Sequence, residues 1–298
     1  MALLVYNLAM LSLHSAWLFV IGYAVSLTFP FPLLPQQPPP ASAARTLLLP
    51  KRIVAGETAT LAVLDANGRL TPGVTVNFSD GERLATDATG RALFVAPLNP
   101  GVIYATIASR PTRVFTTILT PAEISSSSLR ISSAPRFASL ADRFELSGSG
   151  FCGEADANTV RVAGKPALVL ASSPAALIAL PPTELDPGPA AVEVSCAKRS
   201  APQFSITFLA LTLAADSSPL APGEHCVLTV HVSGTAAKVP LEARNLSPNV
   251  AQLAGGNPAN ASSSGGAQNT AQFELIGLGR GSFRISVRLL PTPTPLRP

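Results

Sequence analysis

Charged residues are scarce in this chain. Asp, Glu, Lys and Arg make up 13% of its 298 residues, and only three histidines are present. Because catalytic and metal sites draw on these side chains, few positions are available for such chemistry. The two methionines and the lack of Glu-, Lys-, Leu- and Ala-rich runs argue against helices. The 29 prolines and 21 glycines predict instead short strands separated by turns, and hence an all-β chain of two or three domains.

The net charge gives no sign of a nucleic-acid partner. Its formal value is +4, but the basic residues are scattered singly along the chain. A nucleic-acid binder gathers them on one face or along one helix. We therefore expect no nucleic acid among the partners.

The N-terminal region contains no charged residue from position 1 to position 44, and residues 2–27 are almost wholly apolar. About 20 such residues suffice to span a bilayer as a helix. Pro30, Pro32 and Pro35 end any such helix. Residues 1–29 are therefore interpreted as one hydrophobic helix, either a transmembrane signal-anchor or a signal peptide, and residues 30–44 as a Pro-rich spacer.

Three interpretations of this helix remain open. A signal peptide carries basic residues before its apolar core, and this segment has none, although Ala41-Ser42-Ala43 resembles a cleavage site. An uncleaved anchor is favoured over a cleaved signal peptide, and a buried core segment is the third alternative. The positive-inside rule opposes export, because basic residues begin only at Arg45. The β-rich, low-charge remainder favours a chain that is membrane-anchored facing outside the cytoplasm, or secreted.

The cysteines are too few for a disulfide scaffold, and none forms a Cys-x-x-Cys pair. Cys152 and Cys196 fall in the same predicted domain and are the candidate disulfide in an oxidising compartment. Closing a loop of that size contributes roughly 4 kcal/mol in the chain-entropy model. Three buried thiols are the alternative, and the pairing of Cys226 stays open.

Residues 45–120 predict a first β-sandwich. The run Thr58–Leu64 is closed by Asp65-Ala66-Asn67-Gly68, in which Asn-Gly is a strong hairpin signal. Residues 74–79 alternate strictly between apolar and polar, as in a half-buried antiparallel strand. Further β-type runs follow at 91–96, 102–107 and 114–119.

The order of these motifs resembles the bacterial Ig-like repeats of invasin and intimin. The matching segments are Asp65-Ala66-Asn67-Gly68, Pro72-Gly73-Val74-Thr75-Val76-Asn77-Phe78, Thr86-Asp87-Ala88-Thr89-Gly90-Arg91-Ala92 and Pro100-Gly101. The resemblance implies a spacer or adhesion module without catalytic residues.

Residues 129–209 predict a second sandwich, after a serine-rich boundary at 121–128. The block resembles the IPT/TIG Ig-like family. The matching segments, in order, are Gly148-x-Gly150-Phe151, Asn158-x-Val160 with a Gly164 turn, Ser172-Ser173 before a strand ending at Pro181, and Pro187-Gly188 before Val192-x-Val194. The resemblance implies a binding or spacer module. Some members contact DNA through basic loops, but this copy has only isolated basic residues, so that role is set aside.

Residues 211–290 predict a third, looser Ig-like sandwich. Alternation is clear at 227–232, and strands are also expected at 239–243, 273–276 and 283–289. Residues 255–270 are rich in Gly, Asn, Ser and Ala and predict a long surface loop or a disordered insert. Residues 291–298 are interpreted as a Pro-rich tail without structure of its own.

The candidate chemical motifs are weak. His225 and His231 are six residues apart and so share a face of a strand, while Cys226 faces the other way; a zinc site there needs further ligands. Gly148-Ser149-Gly150-Phe151 lacks the third glycine and the helix of a phosphate loop. No Gly-x-Ser-x-Gly elbow is present. The carboxylates lie at predicted turns, where they satisfy local backbone amides; calcium near Asp142 or Asp156 is the weaker alternative.

The chain is therefore interpreted as a non-enzymatic cell-envelope or secreted Ig-like protein, a structural spacer or adhesion module. No catalytic, cofactor-binding or metal-binding residue is expected. The expected partners are the membrane, through the N-terminal segment, and a protein or glycan at the cell surface. The alternative is an ancillary ligand-binding module, for carbohydrate in particular, which requires an exposed aromatic platform. Trp17, the sole tryptophan, lies in the apolar segment, which weighs against that alternative.

Overall fold

The computed structural model describes residues 2–3, 45–108, 110–124, 128–216, 220–279, 283–290 and 293–295. The predicted hydrophobic helix and the spacer lie outside these ranges, apart from Ala2–Leu3, which form strand β1. Within the ranges the regular secondary structure is strand, apart from short 3₁₀ turns at Pro121–Ile124 and Ala155–Ala157. No helix among the described residues has the length and apolar character needed to cross a membrane. The all-β prediction is confirmed.

The first sandwich packs a three-stranded sheet, β2-β4-β7, against a five-stranded sheet, β3-β9-β8-β5-β6. All pairs are antiparallel except β3 with β9, which is parallel. The strands are β2 (Thr46–Leu48), β3 (Arg52–Val54), β4 (Thr58–Leu64), β5 (Thr75–Phe78), β6 (Arg83–Ala85), β7 (Arg91–Val95), β8 (Gly101–Ile107) and β9 (Arg110–Leu119).

Strand β5 shows how apolar alternation builds this core. Val74, Val76 and Phe78 are buried between the sheets, whereas Thr75 points outward. The ring of Phe78 packs against that of Phe94 on the opposite sheet, with 5.0 Å between centroids. The half-buried strand predicted at 74–79 is confirmed.

The tight turns of the first sandwich are held by aspartate side chains. One carboxylate oxygen of Asp65 accepts the backbone N–H groups of Asn67 at 2.8 Å and Arg69 at 2.9 Å. Asp87 accepts both the backbone N–H and the hydroxyl of Thr89, each at 2.7 Å. The hydroxyl bond from Thr89 is the largest cause of a lowered pKa at Asp87, and backbone amides add to it. The prediction that turn carboxylates satisfy backbone amides is confirmed at both positions.

The second sandwich places a sheet of order β10-β12-β15-β14 over a sheet of order β13-β16-β18. Strand β14 pairs with β13 through its first residues and with β15 through the rest, so it contributes to both sheets. The strands are β10 (Arg130–Pro135), β11 (Phe137–Ser139), β12 (Phe144–Ser149), β13 (Asn158–Val162), β14 (Lys165–Ser173), β15 (Ala176–Leu180), β16 (Gly188–Cys196), β17 (Arg199–Ser200) and β18 (Phe204–Ala215).

The third sandwich begins on the second half of β18, which pairs with β19, and packs the sheet β18-β19-β23-β21 against β1-β24-β20-β22. Its core is formed by side chains that alternate along β19 and β23. The strands are β19 (His225–Ser233), β20 (Pro240–Asn245), β21 (Ala251–Leu253), β22 (Ala259–Ser262), β23 (Thr270–Gly277) and β24 (Ile285–Leu289); β25 (Pro293–Pro295) follows.

Two expectations for the third region are wrong. The segment 255–270 is not simply a loop, because Ala259–Ser262 form strand β22 on the edge of β20. Buried Asn269 further anchors it, donating from its side-chain amide to the carbonyls of Thr235 and Ala237. The tail also gains structure, because β25 pairs with β10 of the second sandwich. Both segments have weak intrinsic strand propensity and depend on a partner strand supplied by the tertiary fold.

Replacing Asp87 by Ala is expected to lower the free energy of unfolding by at most about 1 kcal/mol at neutral pH, because the lost hydrogen bonds lie at a solvated turn. The lowered pKa of Asp87 in the folded state makes this stabilisation complete above the unfolded-state pKa. It is lost as the pH falls through the folded-state value. Urea denaturation from neutral pH down to about pH 2 should therefore show the variant and the parent converging.

The control is Asp186→Ala, which changes an exposed carboxylate in the turn before β16. Its stability should follow the parent within about 0.5 kcal/mol at every pH. A deficit of Asp87→Ala that persisted unchanged in strong acid would contradict the proposed role of the carboxylate.

Candidate functional site

The first and second sandwiches are joined through a buried interface at strand β4. Thr60 of β4 pairs with Ser172 of β14. The Thr60 hydroxyl donates to the carbonyl of Gly153 at 2.7 Å and accepts the N–H of Ala155 at 3.1 Å. A Cβ on Gly153 would lie 2.0 Å from the carbonyl oxygen of Thr58, so only glycine permits this approach. The two backbones are therefore in direct contact.

An apolar seam continues the same interface. Side chains that project from the outer face of the β2-β4-β7 sheet pack against the β10-β12-β15-β14 sheet of the second sandwich. The buried members are Leu48, Ala62, Leu64, Leu170, Ala171 and Ile178. Burial of these groups on both sides removes apolar surface from water and stabilises the joint.

Arg91, the first residue of β7, forms the polar centre of the interface. Its guanidinium donates to the carbonyl oxygens of Val169 at 2.6 Å and Leu170 at 3.3 Å. A third bond reaches the carboxylate of Asp156 at 3.0 Å. Only 9% of the Arg91 side chain is exposed, whereas Asp156 is 79% exposed. The buried carbonyls, rather than the solvated carboxylate, therefore hold the arginine.

Sequence reasoning missed this role of Arg91. Arg91, Leu93 and Val95 occupy the outward positions of β7, while Ala92 and Phe94 face the core. Leu93 and Val95 are exposed, so the apolar character of this face did not indicate the contact that buries Arg91 against the second sandwich.

Strand β18 forms the joint between the second and third sandwiches. Its first half pairs with β16 and its second half with β19. The strand predicted at 204–208 is thus too short by seven residues at its C-terminal end. Where β18 passes from the second sandwich to the third, a Cβ on Gly234 (φ +104°) would lie 2.6 Å from the carbonyl oxygen of Phe208. The two sandwiches share a strand and have no linker between them.

A cleft of about 510 Å³ lies where the three sandwiches meet. Its volume falls within the range of small-molecule sites, which occur preferentially at domain interfaces. The first sandwich contributes Lys51 and Phe115, the second the segment from Asp142 to Glu145, and the third Arg288. Serines at positions 133, 139 and 147 add hydroxyl groups to its wall.

Two ion pairs lie within the cleft, and a third lining cation pairs with a carboxylate outside it. Lys51 Nζ lies 3.0 Å from a carboxylate oxygen of Glu145, across the joint between the first two sandwiches. Arg143 lies 3.2 Å from Asp142. Arg288 bonds buried Glu242 at 2.8 Å, outside the lining. Glu242 also lies 3.5 Å from Arg244, so Arg288 is only partly compensated and the lining has one more cation than carboxylates.

Two aromatic residues are neighbours on the outer face of the five-stranded sheet, and one of them lines the cleft. Tyr104 of β8 is paired directly with Phe115 of β9, and their ring centroids are 5.7 Å apart. The guanidinium of Arg113 lies 4.6 Å from the Tyr104 centroid. Phe115 is 55% exposed and lines the cleft. The sequence contained both aromatic residues, but their adjacency depends on the β8–β9 register.

The structure contains a disulfide between Cys152 and Cys196, with the Cα atoms 5.7 Å apart. It joins the segment after β12 to the end of β16 across the core of the second sandwich, where Cys196 is fully buried. Cys226 is buried in the core of the third sandwich.

The other sequence motifs lie apart from the cleft. His225 and His231 are exposed on β19, and Nδ1 of His225 lies 2.6 Å from a carboxylate oxygen of Glu274 on β23. In the described part of the chain, no three His, Cys, Asp or Glu residues are grouped to hold a metal. Gly148 belongs to β12 and approaches β10 so closely that a Cβ would lie 2.0 Å from the Arg130 carbonyl oxygen. The glycine motif thus serves strand packing.

No family model matches the chain, and no curated protein matches it. Solved structures do match. SGBP-B of the Bacteroides ovatus mixed-linkage glucan utilization locus, in complex with a mixed-linkage heptasaccharide, is 10% identical with a TM-score of 0.32, over 80% of this chain and 74% of that one. The Escherichia coli adhesin FdeC is 15% identical with a TM-score of 0.23, over 85% and 93%.

A third match is the BSP domain of a biofilm associated protein. It is 14% identical with a TM-score of 0.27, over 55% of this chain and 29% of that one. At such TM-scores none of these similarities carries a conclusion about what this chain does.

Removing the disulfide by Cys152→Ala with Cys196→Ala is expected to lower the free energy of unfolding by about 2–4 kcal/mol, because the unfolded chain gains the entropy of an open loop. Chemical denaturation of the full chain with and without reductant measures this effect. Reductant should lower the stability of the parent and leave the double variant unchanged. A parent that is insensitive to reductant while it unfolds reversibly would argue against the bond.

Replacing Arg91 by Ala is expected to cost about 2–3 kcal/mol of stability, because the buried carbonyls of Val169 and Leu170 lose a charged donor. The matched control is Asp156→Ala, which removes only the exposed partner and should cost less than about 1 kcal/mol. Thermal or urea unfolding of the full chain distinguishes the two. Equal losses in both variants would show that the exposed ion pair, and not the carbonyls, dominates the joint.

Proposed function

We propose that this chain is a non-enzymatic, surface-exposed or secreted protein of tandem Ig-like sandwiches, which act as a rigid spacer and present a binding surface. The observation that carries the proposal is the direct joining of the sandwiches. The first two contact each other through backbone, an apolar seam and the Arg91 guanidinium. The second and third share β18.

Rigidity is what a spacer requires. Domains connected by flexible linkers change orientation freely, whereas a large buried interface suppresses such motion. A Cβ added at Gly153 or at Gly234 would clash with neighbouring backbone, so neither joint has space for a side chain at that position. A binding surface on one sandwich is therefore held at a defined position relative to the others.

The non-enzymatic part of the proposal rests on the roles that the acidic residues have. Asp65 and Asp87 cap turns. Asp142, Glu145 and Asp156 pair with cationic side chains. Carboxylates engaged with these structural partners are less available to contact a substrate.

Export and the Ig-like assignment are supported by the sequence. The motifs that resemble invasin-type and IPT/TIG domains lie within the first and second sandwiches, and the uncharged segment 1–29 provides a signal or an anchor. A disulfide between Cys152 and Cys196 suits an oxidising compartment.

The second candidate is a ligand-binding module, and the Tyr104–Phe115 pair is the observation that favours it. Carbohydrate binding requires an exposed aromatic surface, and Phe115, which packs against half-buried Tyr104 with the ring planes inclined at 60°, provides one without tryptophan.

Protease added to intact bacterial cells that express the full chain tests export directly. If the protein is anchored and faces outside, it should stay with the membranes, keep Met1 and be cleaved from outside; a secreted protein should appear in the soluble fraction with an N-terminus near residue 44. Both results follow from the absence of charge in residues 1–44. N-terminal sequencing distinguishes them.

The control is a chain that lacks residues 2–29, which should stay inside the cells and be degraded only after lysis. If the parent chain in intact cells resists the added protease as well as this control does, the protein is not exported and the proposal is excluded.

A further inference from the structure

We propose that the cleft between the three sandwiches binds a neutral oligosaccharide, with Phe115 stacked against the face of a sugar ring. The inference deepens the ligand-binding alternative and rests on the proposed function, since a surface-exposed protein is one that meets extracellular glycans. The shape of the cleft, the orientation of Phe115 and the pairing of the charges carry it.

The cleft is a half-open depression large enough for a small ligand. It is concave, has a volume of about 510 Å³ and is bounded by side chains from all three sandwiches. Phe144 and Ile178, both buried, lie in its floor beside Leu48. Because the sandwiches are joined through buried contacts, these walls are already in position before a ligand arrives. Such preorganisation reduces the entropic cost of binding.

Phe115 presents an apolar surface that the fold itself does not use. More than half of this large side chain is exposed, at the mouth of a cleft. Its ring is oriented by Tyr104, which in turn contacts the guanidinium of Arg113. An exposed aromatic ring can cover the apolar C–H face of a sugar.

The polar groups of the cleft select a ligand that is polar but uncharged. The lining cations Lys51, Arg143 and Arg288 each already form an ion pair with a carboxylate, so a charged ligand would have to compete with an existing partner. A purely apolar ligand would bury these groups without hydrogen bonds, which is costly. A sugar offers hydroxyl groups that donate to the carboxylates and accept from the guanidinium.

The experiment is a glycan array with the purified full chain, followed by titration with the best oligosaccharide. Phe115→Ala should weaken binding about tenfold or more, because the stacking surface is lost. Phe115→Trp, which keeps a flat aromatic face, should retain it. Leu98→Ala is the matched control, because Leu98 is 81% exposed and lies outside the cleft, and it should bind as the parent does.

The Phe115→Trp variant also reports contact directly. Trp17 is the only other tryptophan of the chain. The oligosaccharide should therefore change the indole fluorescence of this variant and leave that of the parent nearly unchanged. Unfolding curves for all three variants should match that of the parent, because both positions are solvent-exposed.

Absence of binding to every glycan on the array would overturn the proposal, as would equal affinity of Phe115→Ala and the parent. Binding of extended peptides alone would overturn it in favour of a protein partner. The measurement uses purified protein and does not depend on export. If no glycan binds but protease cleaves the protein on intact cells, the oligosaccharide proposal is rejected and the spacer function is retained. If a glycan binds but the protein stays inside the cells, only export is rejected.

Discussion

The contact between β4 and β14 is the constraint on which the arrangement of the molecule depends. Thr60 places a hydroxyl between the carbonyl of Gly153 and the amide of Ala155, and Arg91 donates to two neighbouring carbonyls of β14. These backbone groups are buried and could not find water if the sandwiches separated only partly. Separating the two sandwiches would therefore cost the loss of these hydrogen bonds in addition to the exposure of the apolar seam.

The cleft is a consequence of that joint and of the shared strand β18. Its walls come from segments as distant in sequence as Lys51 and Arg288. Sandwiches connected by flexible linkers would present the same side chains without a fixed separation between them. The ion pair between Lys51 and Glu145 crosses the first joint, but Lys51 is 70% exposed and the pair contributes little to stability.

Much of the fold could be predicted because strand formation leaves a local signal. Alternation along residues 74–79 and the Asn-Gly turn before them located strands of the first sandwich correctly. Elements that need a partner were missed. Ala259–Ser262 has the composition of a loop and becomes a strand only beside β20, and β18 continues through a predicted domain boundary because a new partner, β19, is present. The candidate site was missed for the same reason: Phe115 is a single aromatic residue in the sequence.

The sequence by itself determined the all-β class, the succession of short strands and turns, and the scarcity of groups suited to catalysis, because propensity, alternation and composition act over a few residues. Only the tertiary structure decided that Arg91 holds two sandwiches together, that Tyr104 and Phe115 form one surface, and that opposite charges from different sandwiches meet in a cleft. These features depend on strand register and on the packing of one sheet against another. Both are set by long-range contacts that no local pattern records.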